Sequence, residues 1–457
     1  VTSQQPHITQ FNRAYLIGIG GIGMSALARY FNSQGWSVAG YDKTQTALTD
    51  QLSNEGIDIH YDDLKDEIPE SFKNTSQTLV IYTPAIPEDM GELNYVFDNG
   101  YHVFKRSQVL GMITRNSKAI GVAGTHGKTT TSTMLAHIFD VSSLKCNAFL
   151  GGISSNFNSN FVSAPDSEIT VIEADEFDRS FLQLNPFASI ITSTDADHLD
   201  IYGNNEEFLQ GFQAYSDLIP DEGFLVRHVN VELSSKNTIS YGINCKADYS
   251  GTNLRFENGD FIFDLSTPAK EIRNIKLGIP GIHNAENAIA CIAVALELGI
   301  DGATILKALR TFKGVKRRFE YHVRTKDLVY IDDYAHHPTE IDALISSVKL
   351  LYPNQRITGV FQPHLFTRTR DFFDGFVTQL SRLDEIILLP IYPAREKPIP
   401  GITSKRLFEE VTAPDKKCLT PSETIDYISN KNEGILLTIG AGDIDRIVTP
   451  IKTALEK

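Results

Sequence analysis

The stretch Gly124-Thr125-His126-Gly127-Lys128-Thr129-Thr130-Thr131 decides the fold of this chain. An apolar, β-prone run at 119–123 precedes it, and residues 129–139 carry a helical pattern after it. Strand, glycine-rich turn and helix in that order form a phosphate loop, and a phosphate loop implies a parallel α/β sheet. Gly124 and Gly127 let backbone N–H groups, those of Thr125 and His126 among them, face an anion. Lys128 supplies a cation for β- and γ-phosphates, and the hydroxyl of Thr129 or Thr130 reaches Mg²⁺. The helix that begins there adds the positive end of its dipole. The strict pattern places Gly at position 122, where this chain has Val122. A glycine-rich turn with an exposed Lys is the other reading, and the order of elements counts against it. The chain therefore reads as an ATP-dependent enzyme.

Working outward, a strand at 169–172 runs into Glu173-Ala-Asp-Glu176, and Glu173, first off the strand, is the expected acidic partner of Mg²⁺. Asp175, Glu176 and Asp178 read as solvated loop charges. His198 follows the next strand, 189–191, at the carboxyl end where α/β sites are assembled, so ligand and structural roles stand about even. Residues 284–298 form an apolar helix stopped by Gly299, with a polar, β-rich segment at 223–277 before it. His283 and Asn287 share a face of that helix; Asn287 is a candidate base or ribose contact, or equally a packing residue.

At the other end, Gly18-Ile-Gly20-Gly21-Ile-Gly23 follows a strand read at 15–19, and Asp42 ends the next one. This is the dinucleotide fingerprint. Alone it would suggest a nicotinamide-dependent oxidoreductase. Beside a second, independent phosphate loop it suggests a site for another nucleotide's diphosphate. A third set of strands at 328–331, 357–361, 385–389 and 435–439 alternates with helices.

A chain of 457 residues is too long for one core. The reading is α/β in three domains: a Rossmann-like domain at 1–117, a central ATP-binding domain with a parallel sheet at 118–315, and a Rossmann-like domain at 316–457. The formal net charge of −15 argues against nucleic-acid and membrane partners. Cys146, Cys245, Cys291 and Cys418 have no paired spacing, which suggests reduced thiols and a cytoplasmic setting. The oligomeric state stays open, a homodimer included.

GIGGIGM, GTHGKTTT, EADE, DADHLD, HNAENA, RRFE, DDYAHHPTE, FQPHLFTRTRDF and GAGD together resemble the Mur ligases in order and spacing, over essentially the whole chain. DDYAHHPTE and FQPH…TRTR are most similar to the branch that attaches L-alanine, with the tripeptide-recycling branch next. The resemblance implies that ATP phosphorylates the carboxylate of UDP-N-acetylmuramate and that the amine of L-alanine attacks the acyl phosphate. It implies two Mg²⁺ ions, replaceable by Mn²⁺, one held by Thr130 and Glu173 and the second by His198 with Glu173. Asn287 and Arg318 would bind ATP, framed by Asp333 and Tyr334. His336 and Arg368 would contact L-alanine, with His364 beside them. Gly20, Gly21, Asp42 and Arg106 would hold the uridine-diphosphate end. With nucleotide ligands in two domains and amino-acid ligands in the third, domain closure is expected.

The bland alternatives are that Tyr334 packs, His337 turns the chain before Pro338, Asp332 caps structure, and Arg370 is a surface charge paired with Asp371 or Asp374. The chain departs from the family at Ser193, where relatives carry Asn, and at Leu365, where some carry Arg. The helical stretch 206–219 lacks the Lys that other Mur ligases carbamylate.

Overall fold

A computed structural model describes residues 8–66, 68–195, 202–257, 260–394 and 396–456. The chain divides into two compact units: residues 1–253, 262–277 and 286–313 form one, and residues 254–261, 278–285 and 314–457 the other. Its three sheets are mainly parallel, as strand–helix alternation requires.

The first sheet contains β1 (Arg13–Ile17), β2 (Ser37–Tyr41), β3 (Asp58–His60), β4 (Thr78–Tyr82) and β5 (His102–Lys105), in the order β3-β2-β1-β4-β5. The order reverses at β1, so the loop leaving β1 sits at the switch point where such sheets bind ligands. β1 ends at Ile17 rather than Ile19, because Gly18 turns the chain at a φ of 88°. The helix Ile22–Ser33 then buries Met24, Leu27 and Phe31 against the sheet.

The second sheet contains β6 (Lys118–Ala123), β7 (Asn147–Ser154), β8 (Ser159–Val162), β9 (Ile169–Glu173), β10 (Pro186–Ile191), β11 (Phe224–His228), β12 (Thr238–Ile243), β13 (Tyr249–Glu257), β14 (Asp260–Ser266) and β15 (Glu271–Leu277). Its order, β15-β14-β13-β12-β11-β10-β6-β9-β7-β8, places β6 between β9 and β10. The polar segment at 223–277 therefore supplies one wing of this sheet, strands β11 to β15. The β7–β8 hairpin ties the first two sheets together. Asn160 donates to Ile22 O at 2.5 Å and to Ser25 Oγ at 2.8 Å, and accepts from the buried Arg29 guanidinium. These groups are buried, so each bond also avoids an unpaired polar atom.

The third sheet contains β16 (Glu320–Arg324), β17 (Leu328–Asp333), β18 (Ile357–Phe361), β19 (Glu385–Leu388), β20 (Asp415–Cys418) and β21 (Gly434–Ile439), in the order β16-β17-β21-β18-β19-β20. Only β16 runs antiparallel within it. Among the described residues no helix is long and apolar enough to cross a membrane, and all four cysteines are free.

Candidate functional site

Strand register builds the phosphate loop. Val122 pairs with Glu173 of β9, and Ala123 with Ile191 of β10. Val122 is thus a fully buried strand residue, and the loop proper begins at Gly124, which accounts for the missing glycine at 122. Gly124 turns at a φ of 126° and Gly127 at 80°, backbone conformations in which an L side chain is strained. A Cβ at Gly124 would also lie 2.1 Å from Thr192 Oγ1. The helix Lys128–Val141 starts with no side-chain cap and no acid in its first turn, so its leading N–H groups are left for an anion.

The loop is braced from the end of β10. Thr125 N–H donates to Ser193 O at 3.2 Å, and His126 N–H donates to Ser193 Oγ at 3.0 Å. The Thr125 and Ser193 hydroxyls pair at 2.8 Å, while Thr192 Oγ1 donates to His126 O. Ser193, a departure from the family pattern, thus has a role in holding the loop. The N–H groups of Thr125 and His126, expected to face an anion, are thus both engaged by Ser193. Asn287 is buried, and its amide oxygen would lie 2.9 Å from a Cβ at Gly127, which places it against the loop.

Glu173 closes the other side. It accepts from Thr129 Oγ1 at 3.2 Å and from Gly151 N–H at 3.0 Å. The hydroxyl seen on Glu173 is that of Thr129; Thr130, the choice by resemblance, is the next residue of the helix and is buried to the same degree. A carboxylate beside a hydroxyl is a hard-oxygen set that suits Mg²⁺. His198 lies outside the described residues.

Glu176 corrects the sequence reading. It is 1% exposed, not solvated, and its Oε1 accepts from Lys128 Nζ at 2.8 Å. Lys128 also donates to Gly124 O at 2.6 Å. Burial opposes the ammonium charge, but Glu176, Glu173 and Asp175 outweigh it and hold the group above its ordinary value. Nothing in the sequence says which of three neighbouring carboxylates turns inward.

A cavity of about 300 Å³ runs from Gly21, Gly23 and Arg106 to Gly151, Glu173 and Asp175. Arg106 meets Asp175 there at 3.6 Å. Gly20 N–H donates to Asp42 Oδ2 at 2.8 Å, so Asp42 holds the glycine turn from within. The diphosphate end and the Mg²⁺ end expected from the sequence thus open into one cleft.

The second unit carries its own cluster. Asp333, last in β17, accepts from Phe319 and Ala335 N–H at 2.7 and 2.8 Å, and burial pushes its pKa up to about 6. Arg317 and Arg318 both lie over the Tyr334 ring, at 5.3 and 5.1 Å. Asp332 is more than a cap: fully buried, it accepts from Arg317 Nε at 3.1 Å and from the Thr438 hydroxyl at 2.6 Å. His336 Nδ1 lies 2.9 Å from Tyr334 O and 3.3 Å from Glu340 Oε2. Both neighbours are acceptors, which assigns the proton to Nδ1 and leaves Nε2 as an acceptor.

Arg368 donates to His364 Nδ1 at 3.2 Å, and the His336 and His364 rings are 6.1 Å apart. Burial, then His336 and Arg368, push His364 down to about 4, and burial lowers His336 as well. Leu365, between His364 and the short helix Phe366–Asp371, sits at a φ of 69°. Such strain in a non-glycine residue is concentrated at functional sites. His337, read as a turn residue before Pro338, caps the helix Pro338–Leu351, while Arg370 pairs with Asp371 at the surface, as its bland reading had it.

A phosphate loop with a paired acid, a second glycine turn opening into the same cleft, and a separate Arg–His cluster define a nucleotide-dependent ligase of the three-domain α/β type. The comparisons agree with that class. Residues 13–118 match the model described as Mur ligase family, catalytic domain; residues 122–295 match the Mur ligase middle domain, and residues 317–449 the Mur ligase, glutamate ligase domain. The chain belongs to the Mur ligase family. It is 47% identical over 455 residues to the UDP-N-acetylmuramate–L-alanine ligase of Parabacteroides distasonis, covering 98% of each chain. It is 48% identical over 451 residues to that of Flavobacterium psychrophilum, covering 99% of this chain and 100% of the relative. The crystal structure of UDP-N-acetylmuramate–alanine ligase from Thermotoga maritima matches with a TM-score of 0.84 at 28% identity, over 97% of this chain and 99% of that one. A murein peptide ligase from Psychrobacter arcticus shares the fold, at a TM-score of 0.68 and 22% identity.

Proposed function

We propose that this protein is the ATP-dependent ligase that joins L-alanine to the carboxylate of UDP-N-acetylmuramate through an acyl phosphate, a step of peptidoglycan precursor synthesis in the cytoplasm. The observation that carries the reading is the cleft shared by the GIGG turn and Glu173. It would give one substrate a diphosphate end near Gly21 and Arg106 and a reacting end near Glu173. The full-length likeness to L-alanine ligases supports the choice within the family.

Phosphoryl transfer is mainly a matter of positioning and charge neutralisation. Lys128 and the N–H groups of the loop would hold the β- and γ-phosphates, with Asn287 beside them. Glu173 with Thr129 or Thr130 would hold Mg²⁺, which when bound neutralises charge on the transferred group; a second ion involving His198, and Mn²⁺ in its place, belong to the same proposal. Arg318 with Tyr334 and Asp333 would also serve the nucleotide. Arg368 would pair with the amino-acid carboxylate, and His336 Nε2 would accept an N–H of the attacking amine.

The test is phosphate release from ATP with each acceptor in turn. Release only when UDP-N-acetylmuramate and L-alanine are both present is the expected result. Turnover with the tripeptide and none with L-alanine would move the assignment to the recycling branch. The full-length likeness to L-alanine ligases does not favour the nicotinamide oxidoreductase that the glycine turn alone would suggest.

A further inference from the structure

Glu176 is the buried charge that the reaction above does not use. Its Oε1 accepts from Lys128 Nζ at 2.8 Å, and its Oε2 is buried without a hydrogen-bond partner among the described residues. Its own backbone is fixed: Tyr202, 1% exposed, donates its hydroxyl to Glu176 O at 2.7 Å, and Arg179 N–H donates to the same oxygen at 3.0 Å. The carboxylate itself is held by its ion pair with Lys128. With Gly124 O at 2.6 Å, it takes two of the three N–H donors of Lys128 and leaves one.

The charges around the loop make this pairing consequential. Lys128 faces Glu176, Glu173 and Asp175, three carboxylates against one ammonium. A nucleotide arriving without a divalent cation meets a lysine already neutralised and the further negative charge of Glu173, Asp175 being paired with Arg106 at 3.6 Å. Only the backbone N–H groups at the helix start favour it. A nucleotide arriving with the cation brings the missing positive charge itself.

We infer that Glu176 is a positioning residue that makes nucleotide binding conditional on the divalent cation, by holding Lys128 neutralised and aimed. It acts through Lys128 and does not touch the substrates. The inference rests on the assignment of Lys128 to the nucleotide phosphates, and its test separates the two.

ADP is titrated calorimetrically into the full-length protein, once with EDTA and once with excess Mg²⁺, for the unaltered chain and for Glu176→Gln. The substitution is expected to tighten metal-free ADP roughly tenfold or more and to change Mg²⁺-bound ADP by less than about threefold. The gain should vanish in the double variant Lys128→Met with Glu176→Gln, which a purely structural role of Glu176 would not produce. Equal metal-free affinity in the unaltered chain and the Gln variant overturns the inference while leaving the nucleotide site intact. Failure of the unaltered chain to bind ADP with Mg²⁺ would instead sink the assignment of Lys128. Should the Gln variant lack a cooperative melting transition, Glu176→Asp, which keeps the charge but withdraws the oxygen by one methylene, is titrated in the same way. A gain in metal-free affinity there supports the inference, and none overturns it.

Discussion

The phosphate loop of the first unit and the Arg–His cluster of the second solve opposite problems. The loop must hold charge, and it does so with parallel-strand register, which sets Glu173 beside Val122, and with a half-buried lysine against a buried carboxylate. The cluster, proposed above to receive an amino acid, instead sets buried neutral histidines beside arginine. His336 and His364 are held below their ordinary pKa by burial, with Arg368 beside both and Arg318 also acting on His336. One region is built on strand ends, the other on the loops that leave β17 and β18, with strain at Leu365. The difference teaches where each will fail: the loop through charge and the cluster through geometry.

The largest effect should come from the charge side. Lys128→Ala is expected to lower phosphate release on the order of 10³-fold, the cost of removing one preorganised donor to a developing anion. A variant that kept a tenth of its activity would break the comparison at its strongest point. Next is Gly151→Ala, which leaves every charge in place. A Cβ there would lie 2.1 Å from Glu173 Oε2, so the carboxylate must move. Displacing a metal-ligand carboxylate through its neighbour typically costs about 10–100-fold in metal affinity or activity. Titration of activity with Mg²⁺ should show a higher requirement; an unchanged requirement would mean that Glu173 does not hold the ion.

On the cluster side, Arg368→Ala should raise KM for L-alanine by roughly 10–100-fold, as loss of a charge-assisted hydrogen bond does, with KM for ATP little changed. Arg368→Lys should rescue it poorly, since an ammonium lacks the planar fork that fits a carboxylate. Arg370→Ala, whose partner Asp371 is its exposed neighbour, is the control and should leave both constants alone. If Arg370 raised KM and Arg368 did not, the roles of the two arginines would have to be exchanged.

How much of this was legible in the sequence follows the same division. GTHGKTTT and Glu173 could be read because strand, turn and helix follow one another locally and because an acid first off a strand has a fixed direction. The strand-and-helix alternation likewise gave all three parallel sheets. Short strands such as β3 and β20 escaped, since three or four residues carry too little periodicity. Glu176 could not be separated from Asp175, because which carboxylate turns inward depends on Tyr202 and Lys128, both distant in sequence. Ser193 could be seen as a departure, but its bond to the loop depends on β10 lying beside β6. Gly151 gave no signal at all, as its N–H acts on Glu173 from the neighbouring strand β7.

The smallest expected effect concerns stability, and it separates the two kinds of buried group within the second unit. His364 titrates near 4 in the folded protein and near 6.5 when unfolded, so its contribution is present above 6.5 and lost as pH falls through 4. Asp333 has the opposite sign. Its folded pKa, about 6, lies above the unfolded 3.8, so its contribution is present below 3.8 and lost as pH rises through 6. Between about pH 4 and 6 the two slopes oppose each other, and the histidine pair masks the carboxyl. Asp333→Asn keeps an oxygen for the N–H groups of Phe319 and Ala335 but removes the titration. Relative to the unaltered protein, the variant should lose stability as pH falls from 6.5 to 4, on the order of 1 kcal/mol across the window. Urea midpoints at three pH values read it directly. A difference between variant and unaltered protein that did not change with pH would mean that Asp333 is ionised throughout, and that this unit, like the phosphate loop, holds its charge inside.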